Sequence, residues 1–109
     1  MDLQELLKRA VDDNASDLFI IAGAPVSEKV GTSLVSLSDR LTAVESEGLV
    51  RSIYEMAGRG MQAVMSTGDD DFSFAISGLA RFRVNVYKQR GSLAAVFRVV
   101  AFNIPDYRE

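Results

Sequence analysis

The segment that most constrains this chain runs from Gly78 to Arg98, Gly-Leu-Ala-Arg-Phe-Arg-Val-Asn-Val-Tyr-Lys-Gln-Arg-Gly-Ser-Leu-Ala-Ala-Val-Phe-Arg. Polar Arg81, Arg83, Asn85 and Tyr87 alternate with apolar Phe82, Val84 and Val86, the period-2 pattern of a strand with one buried face. The return strand, Leu93 to Val100, carries Arg98 in an otherwise apolar row. Gly91 lies at the tip, where a positive φ is needed. With Arg90-Gly91 as the two turn residues, Arg83 and Arg98 stand directly opposite each other and share a face with Arg81. A three-residue turn would send Arg98 to the other face. Like charges directly opposite cost a few tenths to about 1 kcal/mol, and the usual reason for such a pair is an anion. Ordinary solvated arginines on the open face of a sheet would give the same pattern.

The rest of the chain reads as helices and strands in separate blocks. Asp2 and Glu5 form a candidate capping box, followed by an apolar stripe of Leu3, Leu6, Leu7, Ala10 and Val11 on a helix ending near Asn14. Leu18 to Ala22 is a continuous apolar run, expected to be a buried central strand. Val26–Val30 and Ser33–Leu37 suggest a hairpin around Gly31-Thr32. Thr42 and Glu45 are a second capping box, with Leu41 placed to staple a helix through Leu49, Val50, Ile53, Met56 and Ala57, stopped by Gly58. Met61 to Met65 is a further short helix ended by Gly68. Asp69-Asp70-Asp71 reads as a solvated turn rather than a metal site, because consecutive strand residues cannot all face one ion. Phe72, Phe74 and Ile76 then alternate with small residues into a strand that Gly78 turns into the arginine hairpin. The expectation is an α+β domain: an antiparallel sheet of about six strands with helices packed on one face.

Composition narrows the chemistry. The 109 residues hold no cysteine and no histidine, which removes disulfides, thiolate chemistry and the commonest metal ligand and general base. Self-contained hydrolysis is not expected, and neither is a metal site. The net charge of −3 conceals an asymmetry. Thirteen acidic residues face six basic ones up to Asp71, while residues 72–101 hold five basic residues and no acid. An acidic body repels a phosphate backbone at long range, so a local anion or an acidic protein surface is expected rather than nucleic acid. The sequence offers no secretion signal and no apolar run of about 18 residues, so the expected location is the cytoplasm. Asn103-Ile-Pro-Asp-Tyr-Arg-Glu109 reads as the start of a linker to a following domain.

Several segments together resemble one family. Ala15-Ser-Asp-Leu-Phe-Ile20 followed by Ala22-Gly-x-Pro25 resembles an N-terminal Ser-Asp-Leu-His-x-x-x-Gly-x-Pro region. Asp71-Phe-Ser-Phe74, Ala80-Arg-Phe-Arg-Val-Asn85, Gln89-Arg-Gly91 and Val96-Phe-Arg98, in that order and spacing, resemble the same domain of the pilus-retraction (twitching-motility, PilT-like) ATPases of the type II/IV secretion ATPase superfamily. The departures are Phe19, where many members have histidine, and Ser27-Glu-Lys-Val-Gly31, in place of a basic hairpin. The resemblance implies a PAS-like N-terminal domain over residues 1–104, with 105–109 leading to a RecA-like ATPase domain. It implies a homohexameric motor driving type IV pilus retraction, with ATP and Mg²⁺ bound in the full-length protein. Its partners would be RecA-like domains of the same and neighbouring subunits and an inner-membrane platform protein, and it would sit at the cytoplasmic side of that membrane. By motif matching, Arg83 and Arg98 would contact the nucleotide phosphates. No Gly-x-x-x-x-Gly-Lys-Ser/Thr occurs in the chain, so it is not expected to hydrolyse ATP alone. The competing reading is a stand-alone PAS- or profilin-like binding module.

Overall fold

The computed structural model describes residues 1–101. The expected boundary at residue 104 and the linker 105–109 lie outside the described residues. Helix α1 (Leu3–Asp12) precedes strands β1 (Asp17–Ile20), β2 (Pro25–Val30) and β3 (Ser33–Arg40). Helices α2 (Ala43–Ala57) and α3 (Gln62–Thr67) follow, then β4 (Asp69–Ile76), β5 (Ala80–Gln89) and β6 (Ser92–Ala101). All six strands join one antiparallel sheet in the order β3-β2-β1-β6-β5-β4. The α+β expectation holds. The seam between the two hairpin sets is β1 against β6, pairing Leu18 with Phe97 and Asp17 with Arg98.

Local chemistry accounts for most boundaries. At α1, Asp2 accepts from the Gln4 N–H at 3.1 Å. The cap is real, but the reciprocal bond of a capping box belongs to α2: Thr42 Oγ1 accepts from the Glu45 N–H and Glu45 accepts from the Thr42 N–H. Gly58 ends α2 and Gly68 ends α3, each left-handed at φ 66° and 82°.

The helices bury their stripes against one sheet face. Leu3, Leu6, Leu7 and Ala10 of α1 and Leu49, Val50 and Ile53 of α2 are buried there. The sheet answers with Leu18, Ile20, Val26, Phe74, Phe82, Val84, Val86 and Phe97. Phe82 and Phe97 meet edge-to-face at 6.4 Å, and Phe74 lies 5.6 Å from Phe82. Each fully buried large side chain contributes about 1.5–3 kcal/mol. Among the described residues no helix covers the other face.

Three expectations are corrected. Asp69-Asp70-Asp71 is no solvated turn: it opens β4, and Asp70 is buried. Its position is in phase with Phe72, Phe74 and Ile76, so the strand points it inward. The run Leu18 to Ala22 is not buried throughout; Leu18 and Ile20 face the helices, while Phe19 lies on the open face, half-buried. The strand ends at Ile20.

Candidate functional site

The open face is organised by the β5–β6 turn. Arg90 and Gly91 both take positive φ, 51° and 83°, which makes a tight two-residue connection with Gln89 opposite Ser92. That turn fixes the register along both strands, and Arg83 stands directly opposite Arg98. Arg81 is on the same face, opposite Val100. All three arginines are exposed.

One transverse row crosses this face: Ser73 on β4, Arg83 on β5, Arg98 on β6, Asp17 on β1 and Lys29 on β2. The like-charge pair is therefore bracketed by carboxylates. Arg83 Nη2 donates to Asp71 Oδ2 at 3.2 Å, and Asp17 stands opposite Arg98. With Asn85 and Val96 these four charged residues line a shallow depression. Asn85 is anchored, its amide donating to Asp69 Oδ1 at 2.9 Å and to the Asp70 carbonyl at 3.2 Å. In the domain by itself the two arginines are offset by two aspartates, so the anion inferred from the repulsion is not required to explain the pair. The Arg83–Asp71 bridge is exposed on both sides (68% and 50%) and contributes about 0–1 kcal/mol. It occupies one nitrogen of a guanidinium with five N–H donors, so the fork remains open to a further acceptor.

Behind this face lies a charged cluster that the charge-run reading missed. Arg59 Nε and Nη2 donate to the two Asp70 oxygens at 3.0 and 2.8 Å, and the Tyr54 hydroxyl donates to Asp70 Oδ2 at 2.8 Å. The Arg59 guanidinium covers the Phe72 ring at 4.7 Å. The Arg59 hydrogen bonds hold the Asp70 carboxyl below the usual carboxylate range, and burial together with Asp70 pushes the Tyr54 phenol up. The cluster ties α2 and its exit to β4, and so positions the edge that carries Asp71. Its sequence signal was the period-2 phase of Asp70 with the apolar residues after it.

No family profile matches the chain. The type IV pilus retraction ATPase PilT of Pseudomonas aeruginosa is 34% identical over 110 residues, spanning 100% of this chain and 31% of PilT. A crystal structure of the pilus retraction motor PilT with bound ADP superposes with a TM-score of 0.82 at 31% identity, covering 96% of this chain and 31% of that one. The chain is a homologue of the PilT pilus ATPases. The likeness lies in their N-terminal domain and extends across the superfamily. The type IV pilus ATPase PilU of the same organism is 28% identical over 110 residues, and the Legionella pneumophila ATPase DotB superposes with a TM-score of 0.67 at 27% identity. The chain spans about a third of the length of the curated relatives it matches.

Proposed function

We propose that this PilT homologue works as the N-terminal domain of a hexameric motor ATPase that retracts type IV pili, and that Arg83 and Arg98 reach nucleotide phosphates held by a RecA-like domain. The observation that carries the reading is the open sheet face. Two guanidiniums from different strands are held side by side by a two-residue turn, on a face that no helix among the described residues covers. A planar guanidinium suits bidentate contact with phosphate oxygens. Two of them, offset only by half-buried Asp17 and exposed Asp71, can exchange those partners for a more highly charged anion when a second domain closes and excludes water. The ADP-bound PilT structure among the similar folds supports nucleotide use.

In this reading ATP and Mg²⁺ are bound mainly by the RecA-like domain. Among the described residues no group of three acidic side chains could hold an ion. RecA-like domains of the same and neighbouring subunits and an inner-membrane platform protein are the partners, on the cytoplasmic side. Among the described residues no helix is long and apolar enough to cross a membrane.

The test is turnover in the full-length protein. A charge-assisted contact contributes about 1.5–3 kcal/mol, so Arg83→Ala or Arg98→Ala should lower ATP turnover roughly 10- to 100-fold. Arg→Lys should rescue poorly, because the fork geometry is lost. Arg81→Ala and Arg90→Ala are the controls. Wild-type turnover in the first pair, or equal losses in all four, overturns the assignment.

A further inference from the structure

Each arginine of the open face has a carboxylate of its own, supplied by the strand on its outer side. Asp71 of β4 stands opposite Asn85, the next pair on this face from Ser73 and Arg83, and accepts from Arg83 Nη2 on the diagonal at 3.2 Å. Asp17 of β1 stands directly opposite Arg98 across the β1–β6 seam. Both carboxylates line the same depression as the two guanidiniums.

The three consecutive aspartates of β4 show how different the Asp71 contact is. Asp69 accepts from the anchored Asn85 amide at 2.9 Å. Asp70, buried, holds Arg59 through two bonds at 3.0 and 2.8 Å and a third donor in Tyr54. Those two carboxylates are fixed in the fold. Asp71 meets Arg83 through one nitrogen, at a distance beyond the ~2.7–2.9 Å of a tight charge-assisted bond, and both partners are exposed. Such a pair separates readily. A carboxylate there offers the guanidinium the same kind of acceptor oxygen as a phosphate does.

We infer that Asp17 and Asp71 are resting counter-ions of the arginine pair, which keep Arg83 and Arg98 from weakly charged anions and take them back once a terminal phosphate has left. The inference rests on the phosphate reading of the two arginines and adds a discrimination to it. Releasing two carboxylates carries the same penalty whichever anion arrives. The gain from the guanidiniums grows with the charge of that anion. The exchange therefore favours a triphosphate over a diphosphate or free orthophosphate. After hydrolysis the balance returns to the aspartates, which assists release of the product.

The experiment has two arms. The first titrates chain 1–109 with inorganic pyrophosphate and reads the Nε–H signals of Arg83 and Arg98 by NMR. Salt is held at about 0.1 M, where the Debye length is about 10 Å. Asp17→Asn combined with Asp71→Asn keeps both side-chain shapes and removes both charges. It should bind pyrophosphate roughly tenfold tighter than the wild type. Asp71→Asn alone, at an exposed position, should gain about threefold, and it carries the test if the double variant does not fold. Glu5→Gln combined with Glu55→Gln makes the same change in net charge at exposed helix positions and should alter affinity by about twofold at most. Urea midpoints should stay close to wild type in all variants, as solvated pairs contribute little. Wild-type affinity in the aspartate variants, or an equal gain in the glutamate variant, overturns the inference.

The second arm uses the full-length protein. There the aspartate variant should bind ADP more tightly and turn over more slowly at saturating ATP. Unchanged ADP affinity overturns the return of the arginines to the aspartates. The phosphate reading is decided separately, by turnover of Arg83→Ala and Arg98→Ala. Loss of turnover in those variants, with no gain in pyrophosphate affinity in the aspartate variants, keeps that reading and ends the counter-ion assignment.

Discussion

Asp70 and Glu28 are charged residues that point inward, and they do so for the same geometric reason. Each occupies an inward position of its strand, Asp70 in step with Phe72 and Phe74, Glu28 in step with Val26. Asp70 was missed by reading a charge run as a solvated turn. Alternation is the stronger signal at such positions, and a carboxylate that obeys it must find partners or a proton. Asp70 finds two donors, Arg59 and Tyr54. Tyr54→Phe should therefore destabilise the domain by about 1.5–3 kcal/mol, the value of a hydrogen bond to a charged acceptor, and toward the lower end because Arg59 still holds the carboxylate. Arg59→Ala should cost more, about 2–3 kcal/mol, because a buried carboxylate keeps only one donor; the 43% exposure of Arg59 holds the figure below that of a fully buried pair. Asp70 is held below 3.8, so the stabilisation it receives is present above that value and lost as pH falls through its folded value. Urea unfolding of wild type and Arg59→Ala at neutral pH and near pH 3 should show the gap between them closing in acid.

At the scale of elements, the β5–β6 hairpin was the most legible part of the chain and the reason is local. Alternation sets which side chains face the core, Arg90-Gly91 sets the loop length, and the two together give the register that puts Arg83 against Arg98. The β2–β3 hairpin, with Gly31 at φ 61°, was readable on the same grounds. Strand β1 was not, because an unbroken apolar run carries no alternation to reveal that Phe19 lies on the open face, opposite Val96. What brackets the arginines was not legible either: Asp17 faces Arg98 only through the pairing of β1 with β6, strands distant in sequence, and Asp71 was read as part of a solvated turn. The turn can be tested directly. Gly91→Ala places a Cβ at φ 83° and should cost about 1–2 kcal/mol. Arg90→Gly relieves a positive-φ arginine and should be close to neutral. Urea midpoints should separate the two variants with an unchanged denaturant slope. Equal destabilisation by both would mean that the loop acts through the Arg90 side chain instead of its backbone.

For the whole molecule, the decisive contact is the one that no local pattern records. Pairing of β1 with β6 joins the two hairpin sets into one sheet, which lets three helices share a single core and leaves the opposite face bare. That bare face is balanced in charge at its centre, two arginines against two aspartates. That centre lacks the net positive charge that draws phosphate on its own. The chain also contains no Gly-x-x-x-x-Gly-Lys-Ser/Thr loop to cradle phosphates and no histidine to act as a base. On the proposed reading, a second domain brings the nucleotide to this face. Purified chain 1–109 should accordingly release no phosphate from magnesium-ATP above the buffer rate, and any ATP binding should be weak and abolished by moderate salt. In sedimentation at micromolar concentration it should run as a monomer, since the proposed ring contacts need the RecA-like domain. Adding that domain from the full-length protein should restore binding that Arg83→Ala or Arg98→Ala weakens. Turnover that survives repurification, or a stable hexamer of the chain alone, would place the active machinery inside these 109 residues and end the reading of this domain as an accessory to a motor.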